Sequence, residues 1–295
     1  MGTFYISIIL ICRIFQHICN KNVSNKIKSF SSFLKYSSFS NILSGLLAFG
    51  CVFINKKGFE CDFVTLAVSA FSGIMLTLST GFSLYALKSG TVAISSMFAT
   101  AGLIIPCVGG IFIFKQTMSV WQWLCILLFF VSAYFLITAS KKIHSDFSFK
   151  TILLLLGSMF SNGFVMLSQQ LFAHLRPNGN VSVFSFLSFG ILGIVLLIFS
   201  LFYDITKKED FKKTMPEKNV LACGAVLSVA VFIINQFATL AASIVPSVVL
   251  FSFINGGSTI IGAVVAAIFF KEPLNFRSIF GITLGIGSLI LIKAL

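Results

Sequence analysis

The chain has 295 residues, 57% hydrophobic and 10% charged, with a formal net charge of +13. A soluble domain carries roughly 25% charge, and a soluble core could not hide 36 phenylalanines, so a water-soluble globular protein is excluded. The lysines sit in short loops between apolar runs; membrane-flanking charge accounts for them, and nucleic-acid binding is set aside.

The eight acidic residues, Glu60, Asp62, Asp146, Asp204, Glu209, Asp210, Glu217 and Glu272, fall between the apolar runs, as the cost of a carboxylate in hydrocarbon requires. With about 20 apolar residues per crossing, the predicted spans are 4–19, 32–53, 63–86, 91–114, 120–139, 151–173, 182–203, 220–241, 246–270 and 278–294. The first lacks a basic flank and a small-x-small cleavage site, so it reads as a span. The seven cysteines are odd in number, without a C-x-x-C pair and mostly inside spans; they read as small apolar residues.

In span one, Arg13, Gln16 and His17 lie at i, i+3 and i+4, on one helical face. Arg13 is near mid-span. An intramembrane cation reads as a functional residue facing the bundle, with a planar fork suited to carboxylate or phosphate; the competing reading has it snorkelling to an interface. Lys35 opens span two among Ser37, Ser38, Ser40, Asn41 and Ser44 and is a second candidate for a buried cation; the favoured reading is an interfacial lysine beside packing serines. Pro106 in span four, followed by Gly109 and Gly110, should kink that helix. Asn162 and Gln169 share a face of span six, with Gln170 beside it. Asn235, Gln236 and Thr239 lie in span eight, and Asn255, Ser258 and Thr259 in span nine. Buried amides need partners, which neighbouring helices or a substrate could supply. Glu272, beyond span nine, reads as a cap or a salt-bridge partner of Lys271 or Arg277. Gly281 and Gly285 in span ten form a close-packing G-x-x-x-G face, within the bundle or between protomers. There is no H-E-x-x-H, P-loop or G-x-S-x-G motif; neither an enzyme nor a cofactor is expected.

A shift of 156 residues places Lys115-Gln116-Thr117-Met118-Ser119 on Lys271-Glu272-Pro273-Leu274-Asn275, and matches Ala86 with Ala242, Ser96 with Ser252 and Ser132 with Ser288. Each half then holds five spans, residues 1–140 and 149–295. An odd number inserts the second half upside down, the inverted-repeat plan of secondary transporters, with binding at the repeat interface.

Phe269-Phe270-Lys271-Glu272-Pro273-Leu274, followed by Gly281, Gly285 and Gly287, resembles the EamA-like branch of the drug/metabolite transporter superfamily, and Ala86-Leu87-Lys88-Ser89-Gly90-Thr91-Val92-Ala93 is similar to that family's junction between its third and fourth helices. Lys35 sits where the family commonly has a basic residue. The first half departs from the pattern, with Gln116 at the acidic position. The resemblance implies an all-α integral membrane protein of ten helices in two inverted repeats, moving a small metabolite by alternating access.

The expected substrate-binding residues are Arg13, Gln16, His17, Asn162, Gln169, Asn235, Thr239, Asn255 and Ser258. Their chemistry favours a polar, anionic or zwitterionic solute. The alternatives are a multidrug exporter, though no span holds the carboxylate that small multidrug relatives use, and a non-transporting scaffold or sensor with a closed core. The expected partners are the solute and the bilayer, as a monomer or homodimer in a bacterial cytoplasmic membrane. Orientation divides two arguments. Odd-numbered loops carry fourteen basic residues against four in the even ones, which places the odd loops in the cytoplasm; the resemblance places both termini there, and this reading follows it.

Overall fold

The computed structural model describes residues 1–27, 29–54, 58–89, 92–138, 149–208, 214–271 and 275–294. Among them every regular element is helical: α1 (Gly2–Ser24), α2 (Phe30–Ile54), α3 (Phe63–Ser89), α4 (Val92–Ala101), α5 (Ile104–Phe114), α6 (Val120–Thr138), α7 (Phe149–Leu175), α8 (Val181–Phe186), a π-helical turn (Leu187–Ile191), α9 (Leu192–Lys207), α10 (Lys218–Ala242), α11 (Ser247–Phe270) and α12 (Phe276–Ala294). The pairs α4–α5 and α8–α9 are interrupted rods, so there are ten in all. Seven are long and apolar enough to cross a membrane, and Phe98–Phe114, Val120–Ser132 and Phe276–Ile292 are shorter apolar helices.

The bundle is apolar outside and hydroxyl-rich within. Phe53, Phe112, Ile198, Phe202 and Ile205 are exposed, while Ser38, Ser168, Ser228 and Thr259 are buried. Such an outer surface fits lipid, and the interior hydroxyls find backbone carbonyls: Ser38 Oγ donates to Gly193 O at 2.8 Å and Ser44 Oγ to Ser228 O at 3.0 Å. The principal packings are α3 on α7, α1 on α10, α6 on α12, α2 on α9, and α11 against α1 and α4. The Gly281–Gly285 face is used inside the bundle: Ser132 Oγ on α6 donates to Gly281 O at 2.6 Å, and a Cβ on Gly285 would lie 2.7 Å from Ser132 Oγ.

The fourth rod breaks, and does so before Pro106. Proline has no N–H to give the carbonyl four residues back and crowds it. That carbonyl belongs to Gly102, which takes Ile105 N at 3.1 Å instead, and the turn tightens, with Leu103 N on Thr100 O at 2.9 Å. Gly102 is also where α7 comes closest: a Cβ there would sit 2.5 Å from Met159 O, and one on Gly163 would sit 2.5 Å from Gly102 O. Pro106 thus causes an interruption rather than a simple kink, and Ala99 O beside the break accepts Asn162 Nδ2 at 2.8 Å.

Lys115 and Lys271 close α5 and α11 in the left-handed conformation, at φ 53° and 52°. Their N–H groups reach Gly110 O and Ala266 O respectively, so caps and acceptors are alike 156 residues apart. Glu272 lies outside the described residues.

Two expectations about charge are corrected. Asp204 does not fall between the apolar runs: α9 runs to Lys207, and the Asp204 side chain is 5% exposed. Lys35 is not interfacial either; its side chain is 3% exposed and its Nζ is 2.6 Å from Asp204 Oδ2. The predicted span ends at 203, four residues before the end of α9 at Lys207, and so leaves Asp204 outside. The serines after Lys35 do pack as expected, with Ser40 Oγ 3.0 Å from Ser228 Oγ.

Candidate functional site

One cavity occupies the bundle centre, lined by α1, α3, α4, α7, α10 and α11. The room open to the centres of water molecules is about 90 Å³, enough for several waters or a small solute.

From α1 the cavity receives Arg13, Gln16, His17 and, one turn further, Asn20. The helix supplies this stripe because 13, 16, 17 and 20 fall on one face. Arg13 Nη1 donates to Gln16 Oε1 at 2.6 Å, while its Nε is buried with no hydrogen-bond partner. Among the described residues no carboxylate pairs with it; the ion pairs are Lys35 with Asp204, and Arg176 with Glu60 and Asp62. His17 Nε2 lies 3.1 Å from Ser258 O and 3.0 Å from Ser258 Oγ. A carbonyl only accepts, so Nε2 carries the proton, and the contact ties α1 to α11.

The opposite wall is an amide network. Gln169 Nε2 donates to Asn235 Oδ1 at 2.7 Å, and Asn235 Nδ2 to Val231 O at 2.9 Å. Asn255 Nδ2 donates to Phe251 O at 2.9 Å, and Asn162 Nδ2 lies 3.5 Å from Asn255 Oδ1. Thr100 Oγ1, beside the α4–α5 break, donates to Asn255 O at 2.8 Å. These bonds fix the orientation of the amides in low dielectric.

Eight of the nine expected residues line this cavity: Arg13, Gln16, His17, Asn162, Gln169, Asn235, Asn255 and Ser258. Thr239 does not; its hydroxyl donates to Asn235 O at 2.8 Å, a contact within its own helix. Gln236 and Gln170 are tied elsewhere. Ser185 Oγ donates to Gln236 Oε1 and Gln236 Nε2 to Ser182 Oγ, each at 2.9 Å, and Gln170 donates to Ser247. Sequence reasoning missed Asn20, Ser79, Thr80, Ser83, Ser95 and Thr100, all at the cavity. Ser79 and Ser83 are four apart on α3, so a hydroxyl stripe at helical spacing was the available signal. Within the described residues no group of three or more His, Cys, Asp or Glu side chains could hold a metal ion.

Residues 149–294 match the EamA-like transporter family. The second half of the chain is EamA-like. The match begins at α7 and ends within α12; with seven described helices long and apolar enough to cross a membrane, it marks the chain as a multi-pass membrane protein whose second half resembles that transporter family. No curated protein matches the chain in sequence. A solved structure described as "Crystal structure of protein" has the same fold, with a TM-score of 0.73 over 99% of this chain and 97% of that one, at 10% identity; so low an identity speaks for the fold alone. The cavity walls come from both halves, α1, α3 and α4 from the first and α7, α10 and α11 from the EamA-like second.

Proposed function

We propose that this EamA-like protein is a secondary transporter that carries a small anionic or zwitterionic solute by alternating access between two inverted repeats, residues 1–140 and 149–295. The repeat reading is supported by the packing. Exchanging each rod with the one five places on converts α3 on α7 into α10 on α1, and leaves α6 on α12 and α2 on α9 as self-paired contacts. The left-handed caps at Lys115 and Lys271 obey the same exchange.

The observation that carries the functional reading is Arg13. A guanidinium in a bundle interior, bonded to an amide and paired with no described carboxylate, is an uncompensated charge. A solute carboxylate or phosphate would compensate it through the planar fork. A closed dry core, which a scaffold would need, is at odds with the cavity. No acid among the described residues lines it, so they do not supply the counter-charge a cationic drug would require. We place the protein in a bacterial cytoplasmic membrane with both termini in the cytoplasm, as a monomer or homodimer.

The test is solute counterflow in proteoliposomes with aspartate, alanine and putrescine. Aspartate or alanine should exchange and putrescine should not, and Arg13→Gln should abolish the exchange while preserving a monodisperse protein. Exchange of putrescine in preference to the other two would refute the assignment.

A further inference from the structure

Asp204 is the buried acid among the described residues; Glu60 and Glu217 are exposed and Asp62 is part-exposed. It sits on α9 in the second half of the chain, and its ammonium partner Lys35 sits on α2 in the first, 2.6 Å away. Ser31 Oγ donates to Asp204 Oδ1, Thr214 Oγ1 lies 3.4 Å from Oδ2, and Lys35 Nζ donates to Thr214. On α3 the titratable neighbour is Tyr85, which interacts with Tyr203 beside Asp204. Lys207 follows, exposed, on the same helix. The pair therefore bridges two halves that must move relative to one another if access alternates.

A second polar space adjoins the solute cavity, walled in part by residues that follow Lys35 on α2. A smaller pocket of about 20 Å³ begins one residue beyond Lys35, with Tyr36, Ser37 and Thr77 in its wall, and shares Leu76, Thr80 and Val231 with the large cavity. The Tyr36 hydroxyl, Ser37 Oγ and Thr77 Oγ1 are all buried without a hydrogen-bond partner, and so is Ser200 Oγ, one turn before Asp204 on α9. Unpaired buried hydroxyls around a polar pocket of this size are what a water satisfies.

We propose that Asp204 is the proton-coupling site of this transporter, an inference that rests on the transport reading above. One proton enters from one side of the membrane, binds a carboxylate oxygen of Asp204, and leaves the same oxygen to the other side. Lys35 keeps its charge throughout. While the two are in contact, the ammonium compensates the carboxylate. When the halves rock and part them, the carboxylate would stand uncompensated in low dielectric, a cost that proton binding removes. Solute movement and proton binding are thus linked through one contact between the halves, with no carboxylate at the solute itself.

The experiment uses the full chain in proteoliposomes loaded with pyranine. Aspartate and alanine gradients are imposed, and lumenal pH is followed beside solute counterflow. Wild type should shift lumenal pH when the solute gradient is imposed. Asp204→Asn should lose the pH shift and keep counterflow. Because that variant strands a buried ammonium, the double variant Lys35→Met/Asp204→Asn, which removes both charges, is measured alongside and should behave the same way. A pH shift retained in the double variant, or counterflow in wild type with no pH shift, overturns the coupling site and leaves the transport reading standing. Absence of counterflow in wild type overturns both.

Discussion

Removing Lys35 alone should cost far more than removing the whole pair. The two side chains are 3% and 5% exposed, at 2.6 Å. Lys35→Met leaves the Asp204 carboxylate with the Ser31 and Thr214 hydroxyls, both already bonded in wild type, so nothing new offsets the lost ammonium. Stranding one partner of a buried ion pair costs about 3–5 kcal/mol, whereas replacing both by uncharged side chains of similar volume is close to neutral. Asp204→Asn should fall in the same range as Lys35→Met, and the double variant should return to within about 1 kcal/mol of wild type, a non-additivity of at least about 3 kcal/mol. Equilibrium unfolding in mixed micelles with rising SDS, followed by the fluorescence of Trp121 and Trp123, measures all four proteins. Single variants within about 1 kcal/mol of wild type and additive in combination would show the pair to be solvated and refute the burial argument.

Gly163→Ala should destabilise the fold by about 1–3 kcal/mol, because the new Cβ would lie 2.5 Å from the Gly102 carbonyl and 2.6 Å from Ile105 Cδ1; Gly287→Ala, with nothing within 4 Å of its Cβ, should gain about 0.5–1 kcal/mol in the same assay, and equal effects at the two sites would contradict the close α4–α7 contact. At the start of α3, the Thr65 hydroxyl and N–H, with Arg176, hold the Asp62 carboxyl below the usual carboxylate range. Its charged form therefore supports the folded state at neutral pH, and that support fades as the pH falls through and below that range. The stability gap between wild type and Asp62→Ala should close on acidification, and a gap that widens would reverse the sign. A reporter fused after Leu295 should be active as a cytoplasmic fusion; activity confined to an extracytoplasmic reporter would show that the loop charge count outranks the family orientation.

The sequence by itself determined the apolar rods, the stripe of Arg13, Gln16 and His17, and the 156-residue echo between Lys115 and Lys271. Each follows from local periodicity or from the cost of charge in hydrocarbon, and neither needs a partner to be known. The EamA-like resemblance was legible at the end of the second half for the same reason, since its motif is contiguous. Only the tertiary structure decided which polar residues meet. Thr239 carries a hydroxyl like Ser258, yet one bonds its own helix and the other reaches His17, because facing depends on which neighbour packs against each helix. Asp204 and Lys35 are 169 positions apart; in the sequence one resembles a loop charge and the other an interfacial lysine. It took the packing of α2 on α9, helped by Gly45, which meets Gly190, and Gly193, which meets Ile42, to bring them together. A one-dimensional pattern records the cost of burying each charge and is silent on the compensation, because compensation is a property of pairs in space.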